Sequence, residues 1–90
     1  MLEINDVLNK KTNIILKGIN NKFWALDVES GAQFRLNELS YDILSAIDGE
    51  VSLAVIIENQ LKKYNVERTI LEKDVLNFVS SAIEKGLIFK

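Results

Sequence analysis

Between Leu36 and Ile88 the apolar residues fall at helical spacings broken repeatedly by turn chemistry, and that order leaves few folds open to the chain. After Asn37, a good N-cap, Leu39, Ile43, Leu44 and Ile47 mark one face of a first helix that ends at Asp48-Gly49. Gly49 is placed there to take the left-handed conformation of a C-terminal stop. Ser52 caps a second helix; Val51 before it and Ile56 after it are spaced as a hydrophobic staple, and Leu53, Ile57, Leu61 and Tyr64 carry the face on to Lys63 or Tyr64. Thr69 and Glu72 have capping-box spacing, which predicts a third helix reaching about Lys85 with Gly86 as its stop. Leu87-Ile88-Phe89 then returns as a short extended tail.

Upstream the period changes from helical to alternating. Ile14, Leu16 and Gly18 fall on one face of an extended run and Ile15, Lys17 and Ile19 on the other. Asn20-Asn21-Lys22 supplies turn chemistry before a second run, Phe23 to Val28, so the two runs are expected to pair as a hairpin. Glu29-Ser30-Gly31 reverses the chain into a third strand, in which Ala32, Phe34 and Leu36 face one side and Gln33 and Arg35 the other. That strand has one sequence neighbour only, the second. Its far edge is expected to be open, and an open edge presents unpaired backbone groups that proteins either protect or use.

The first eleven residues fit less well: Ile4, Val7 and Leu8 have the spacing of a helical turn, but Asn5, Asn9 and Lys10-Lys11 weaken it, and a flexible or loosely docked arm is an equal expectation. No Pro, repeat or low-complexity tract marks a linker, so residues 1–90 are read as one domain. With 48% apolar and 27% charged residues the composition is that of a globular domain. A chain this short buries only about 60–65% of its unfolded surface, which leaves little room for a catalytic cavity. Without Cys or His it lacks thiolate and imidazole metal ligands, a disulfide and the commonest general base, and neither a cofactor nor a metal is expected. A net charge of −2 and a pI near 5.1 argue against a nucleic-acid partner. The longest apolar run, Ile14-Ile15-Leu16, is too short to span a bilayer and the N-terminus lacks the regions of a signal peptide, so a cytoplasmic protein without a membrane role is expected.

On a wheel of about 100° per residue, Leu71, Val75, Leu76, Phe78, Val79, Ala82 and Ile83 of the third helix span roughly 160°. The plain explanation is that all seven pack in the core of a small domain. The sharper one is that the margin at Phe78, flanked by Asp74, Ser81 and Lys85, lines a groove facing the third strand, with Asn77 and Lys73 as its polar rim.

Three strands followed by three helices make an α+β chain compatible with a winged helix-turn-helix whose sheet comes first. At this point the sequence resembles the PqqD-like family, the RiPP recognition elements, small modules that hold the leader of a ribosomally made precursor peptide. The resemblance rests on Leu26-Asp27 to Gly31, Phe34 with Leu36-Asn37, Ile43-Leu44, Asp48-Gly49, Ile56 with Leu61 and Tyr64, Asp74-Val75 with Phe78, and Gly86-Leu87-Ile88. These cover the chain from about residue 23 to its end, and their joint order is more specific than any one of them.

The resemblance implies a non-catalytic adaptor. Its leader adds as a strand to the third strand, side chains reaching the cleft beside the third helix, and a separate modifying enzyme of radical, protease or cyclase type acts on the presented peptide. Backbone groups of Gln33, Phe34, Arg35 and Leu36 supply affinity, pockets at Phe34 and Phe78 select apolar leader residues, and Arg35, Lys73 and Lys85 are placed to meet leader carboxylates. Core packing serves Phe34 equally well, and a solvated surface charge is the plainer role for Lys85. A winged-helix DNA-binding regulator is the main alternative, but the third helix carries Glu72, Asp74 and Glu84 against Lys73 and Lys85. An enzyme is disfavoured: Ser80-Ser81 have no His or Cys beside them, and Asp42 and Asp48 sit about 120° apart around the first helix. A structural adaptor that forms a homodimer through the same open edge stays open as a third reading.

Overall fold

In the computed structural model, which describes residues 2–90, the elements run β1 (Asn9–Lys10), β2 (Ile14–Ile19), β3 (Lys22–Asp27), β4 (Gln33–Leu36), α1 (Glu38–Ala46), α2 (Leu53–Lys63), α3 (Arg68–Glu84) and β5 (Ile88–Phe89). Asn20 and Asn21 both take positive φ, 52° and 63°, the pair of values that a two-residue hairpin turn twisted to match its strands requires. β2 and β3 therefore pair without a bulge, Ile19 opposite Lys22 and Ile14 opposite Asp27. β4 adds to the other side of β3, and the sheet order is β2-β3-β4. The expected α+β order of three antiparallel strands before three helices is the one observed, with two short strands added at the ends of the chain.

The helices cover one face of this sheet. Ala25 in the middle strand is fully buried, and Leu36, Ile43, Leu44, Ile57, Val75 and Val79 belong to the same core cluster. Asn37 caps α1 by accepting a hydrogen bond from Ser40 N–H (2.8 Å), and Ser52 caps α2 by accepting from Val55 N–H (3.4 Å). The two helices are clasped at one end: Lys63 Nζ lies 2.7 Å from Asp42 Oδ2, and the Tyr64 hydroxyl lies 2.7 Å from Glu38 Oε2 and 3.1 Å from Asp42 Oδ2. Partial burial and these carboxylates push the Tyr64 phenol above its ordinary ionisation range. At the end of α3, Leu87 N–H donates to Ala82 O and Gly86 N–H to Ile83 O, both at 3.0 Å, with Gly86 at φ 78°. This is the paired cap expected of a glycine stop.

Three sequence expectations need correction. First, residues 2–10 are not a loose arm, Met1 lying outside the described residues. Leu8 is 1% exposed, and Asn9–Lys10 pairs antiparallel with β5, Asn9 opposite Phe89 and Lys10 opposite Ile88. Leu53 N–H donates to Asp6 O (2.9 Å) and Ala54 N–H to Ile4 O (2.6 Å). These are first-turn amides of α2, which have no partner within the helix. The segment is held because it caps that helix and fills the core beneath it.

Second, α3 begins at Arg68, and Glu67 rather than Thr69 occupies its N-cap without a side-chain cap bond. Arg68 is drawn into the first turn by ion pairs to Glu58 on α2 and to Glu72, one turn on, so Glu72 serves a salt bridge instead of a capping box. Third, Gly49 does not terminate α1. The helix ends at Ala46, with Ile47 as its C-cap at an extended ψ of 112°, and Gly49, at φ 81°, sits in a turn in which Asp48 Oδ1 accepts from Glu50 N–H (2.9 Å) and Val51 N–H (3.1 Å). A Cβ at this position would overlap the Asn9 carboxamide oxygen. Gly49→Ala is therefore expected to destabilise the chain by about 1–2 kcal/mol for the left-handed backbone alone, and by more once Asn9 is displaced, as read from the midpoint of urea unfolding.

Candidate functional site

The one sequence-predicted site built from backbone groups is the outer edge of β4. Asp27 N–H donates to Ala32 O (2.9 Å) across the hairpin. Because hydrogen-bonded and non-hydrogen-bonded pairs alternate along an antiparallel ladder, residues in step with Ala32, namely Phe34 and Leu36, turn their N–H and C=O to β3. Gln33 and Arg35 turn theirs outward. No other strand pairs with β4 among the described residues, so these outward groups form an open edge.

The loop that starts the strand is tied down by Asp27. Its Oδ1 accepts from Asn13 Nδ2 (2.9 Å) and from Glu29 N–H (2.9 Å), and those bonds, the Asn13 one foremost, hold its carboxyl below the usual carboxylate range. Asp48 is lowered likewise by Glu50 and Val51 N–H, and Asp6 by Glu3 N–H and then by Lys90. A folded pKa below the unfolded one contributes stability that is full above about pH 4, the unfolded value, and is lost as pH falls through the folded value. The thermal midpoint should accordingly be flat from neutral pH to about 5 and fall below about 4, and Asp27→Asn should make that fall shallower.

Side-chain placement around the edge is uneven. Leu36 is buried and Phe34 half-buried against the core, while Gln33 and Arg35 are exposed on the opposite face of the sheet. Lys85 Nζ lies 5.8 Å from the Phe34 ring centroid, which brings the end of α3 beside β4. Phe78 and Ser81 are half-buried on α3, Phe78 packed against the core, and Lys73, Asp74, Asn77 and Lys85 are exposed. Going round the helix, Phe78 and Asp74 lie about 20° from Lys85 and Ser81 about 40°, on the side that approaches Phe34, whereas Asn77 lies about 80° and Lys73 about 120° away. Lys73 is thus on a different side of α3 from the contact with β4. The apolar residues of α3 serve the core: Leu71, Val75, Val79 and Ala82 are buried, and Leu76, Phe78 and Ile83 pack at its rim. No closed cavity lies among the described residues, so the site is an edge flanked by a helix.

One neighbour of the site escaped the sequence reading. Trp24 lies opposite Arg35, and the Arg35 guanidinium carbon is 5.4 Å from its ring centroid, a cation–π stack that orients the side chain beside the edge. Pairing the second and third strands on paper would have placed the two together.

Among the described residues no helix is long and apolar enough to cross a membrane. Among solved structures the fold is similar to TbiB1 in complex with the TbiA(beta) leader peptide, with a TM-score of 0.77, 20% identity and coverage of 89% of this chain and 93% of that one. It is also similar to a lasso peptide synthetase B1 complexed with the leader peptide, with a TM-score of 0.80, 25% identity and coverage of 94% and 100%. No curated protein matches the sequence at a significant level. The profile of the family described as coenzyme PQQ synthesis protein D (PqqD) matches residues 24–88, a span that takes in the sheet from Trp24, all three helices and the start of β5, and the chain belongs to that family.

Proposed function

We infer that the chain is a non-catalytic adaptor that captures the leader of a ribosomally synthesised precursor peptide by strand addition to β4 and presents it to a separate modifying enzyme in the cytoplasm. The observation that carries this reading is the open edge at Gln33 and Arg35, in a fold whose solved likenesses were captured with leader peptides. An extended peptide laid along β4 would complete the hydrogen bonds of both residues, which gives affinity independent of sequence. Leader side chains turned toward α3 would meet Phe34, Phe78 and Ser81, and a leader carboxylate would meet Lys85. Asp74 and Asn77 line the outer part of that margin, while Lys73 contributes at longer range. Holding the leader raises the concentration of the core peptide at the enzyme without any chemistry by the adaptor itself.

The test is an amide NMR titration with the leader of any precursor peptide encoded beside this chain and, separately, with duplex DNA. Saturable shifts at Gln33 to Leu36 and from Asp74 to Lys85 with peptide alone are expected. Shifts with DNA alone that fade with added salt would replace this reading by a nucleic-acid one.

A further inference from the structure

The face of the sheet turned away from the helices is bare. Ile15, Ile19 and Val28 are 50%, 49% and 59% exposed, and Trp24 and Leu26 between them are half-buried. The strand register sets these residues in rows: Ile15, Leu26 and Gln33 across three strands, then Lys17, Trp24 and Arg35, then Ile19 and Lys22. Every charged member of the rows is a cation. Lys17, Lys22 and Arg35 make no ion pair with a carboxylate among the described residues, although the chain as a whole is acidic.

We propose that this sheet face docks the modifying enzyme, through a surface of that enzyme with an apolar centre ringed by carboxylates. The charge pattern selects the occupant, since a second copy of the chain would bring two sets of three cations together with no acid between them, and like charges across an interface disfavour it. Position selects it further. This step rests on the leader reading above: a strand added at β4 lies in the same sheet, so alternate leader side chains emerge on this face beside Gln33 and Arg35. An enzyme seated here touches adaptor and leader together.

Size gives the consequence. A face three strands wide and six residues long measures about 14 Å by about 20 Å, well below the roughly 800 Å² per partner of a standard interface. Adaptor alone is therefore held weakly, and a fourth strand, the leader, widens the surface and tightens the complex.

The experiment measures binding of a purified precursor-modifying enzyme encoded beside this chain, by calorimetry, with and without the leader. Two double variants avoid the β4 edge, Ile15→Asn with Lys17→Glu and Ile19→Asn with Lys22→Glu, and all four positions are exposed. Each is expected to weaken enzyme binding by at least about tenfold while leader affinity stays within about twofold, and leader is expected to strengthen enzyme binding to the unaltered chain. Unchanged enzyme affinity in both folded variants would overturn the docking face. It would also be overturned if the variants instead abolished binding to phosphatidylserine-containing vesicles, or self-association in the ultracentrifuge, while sparing the enzyme. Should the leader not bind the unaltered chain, the proposed function fails, whereas the enzyme titrations without leader still decide the face.

Discussion

Arg35→Pro is expected to weaken leader binding by about 30-fold to about 1,000-fold, that is by about 2–4 kcal/mol, in a chain that remains folded. The Arg35 N–H points away from β3, so proline removes no bond from the existing ladder and occupies the kind of edge position where it is tolerated. The leader, however, loses one donor, is left with an unsatisfied carbonyl, and is pushed from the edge by the pyrrolidine ring. Phe34→Pro reverses the pattern. The Phe34 N–H belongs to the ladder with Ala25, so that variant should lose stability first. Arg35→Ala isolates the side chain and should cost no more than about threefold in leader affinity, the scale of an exposed charge. The measurements are fluorescence titration with labelled leader and thermal melts followed by circular dichroism. A folded Arg35→Pro chain that binds leader as well as its parent would sink strand addition at β4.

Leu8→Ala should lower stability by about 2–5 kcal/mol, the range for truncating a buried leucine. Chains of this kind hold roughly 0.05–0.15 kcal/mol per residue, about 5–13 kcal/mol here, so one methyl-rich side chain near the N-terminus carries a large share. The thermal midpoint should fall by at least about 10 °C. Val7→Ala is the control: Val7 is 40% exposed, and its truncation should change stability by no more than about 0.5 kcal/mol. A neutral Leu8→Ala would return the N-terminal segment to the status of a loose arm.

Much of the fold was legible because its signals are local. Asn37 and Ser52 cap the helices they were expected to cap, and Asn20-Asn21 makes the hairpin turn. Gly86 stops α3, and the alternation from Gln33 to Leu36 marks a half-buried strand. Each depends on spacings of two to four residues and on the chemistry of one turn. Gly49 shows the limit of such reasoning: its positive φ was anticipated, but the turn it serves is packed against Asn9, forty residues earlier. Arg68 shows the same limit, since a partner on α2 shifts the start of α3.

The site was legible as a strand and a helix, but not as a geometry. That Gln33 and Arg35 rather than Phe34 and Leu36 offer backbone groups follows from the register with β3, and the proximity of Lys85 to Phe34 follows from how the end of α3 meets the sheet. Lys73, grouped with the site on sequence, lies on another side of the helix. By itself the sequence determined the order of strands and helices, most of their ends and the acidic, His-free and Cys-free character that turns attention from catalysis to binding. Only the tertiary structure decided that residues 2–10 are docked, with Leu8 in the core, which edge of the sheet is open beside α3, and that the cations of β2, β3 and β4 share one bare face. Propensity and periodicity act between near neighbours, whereas burial, strand register and charge segregation arise only when residues far apart in the chain are packed together.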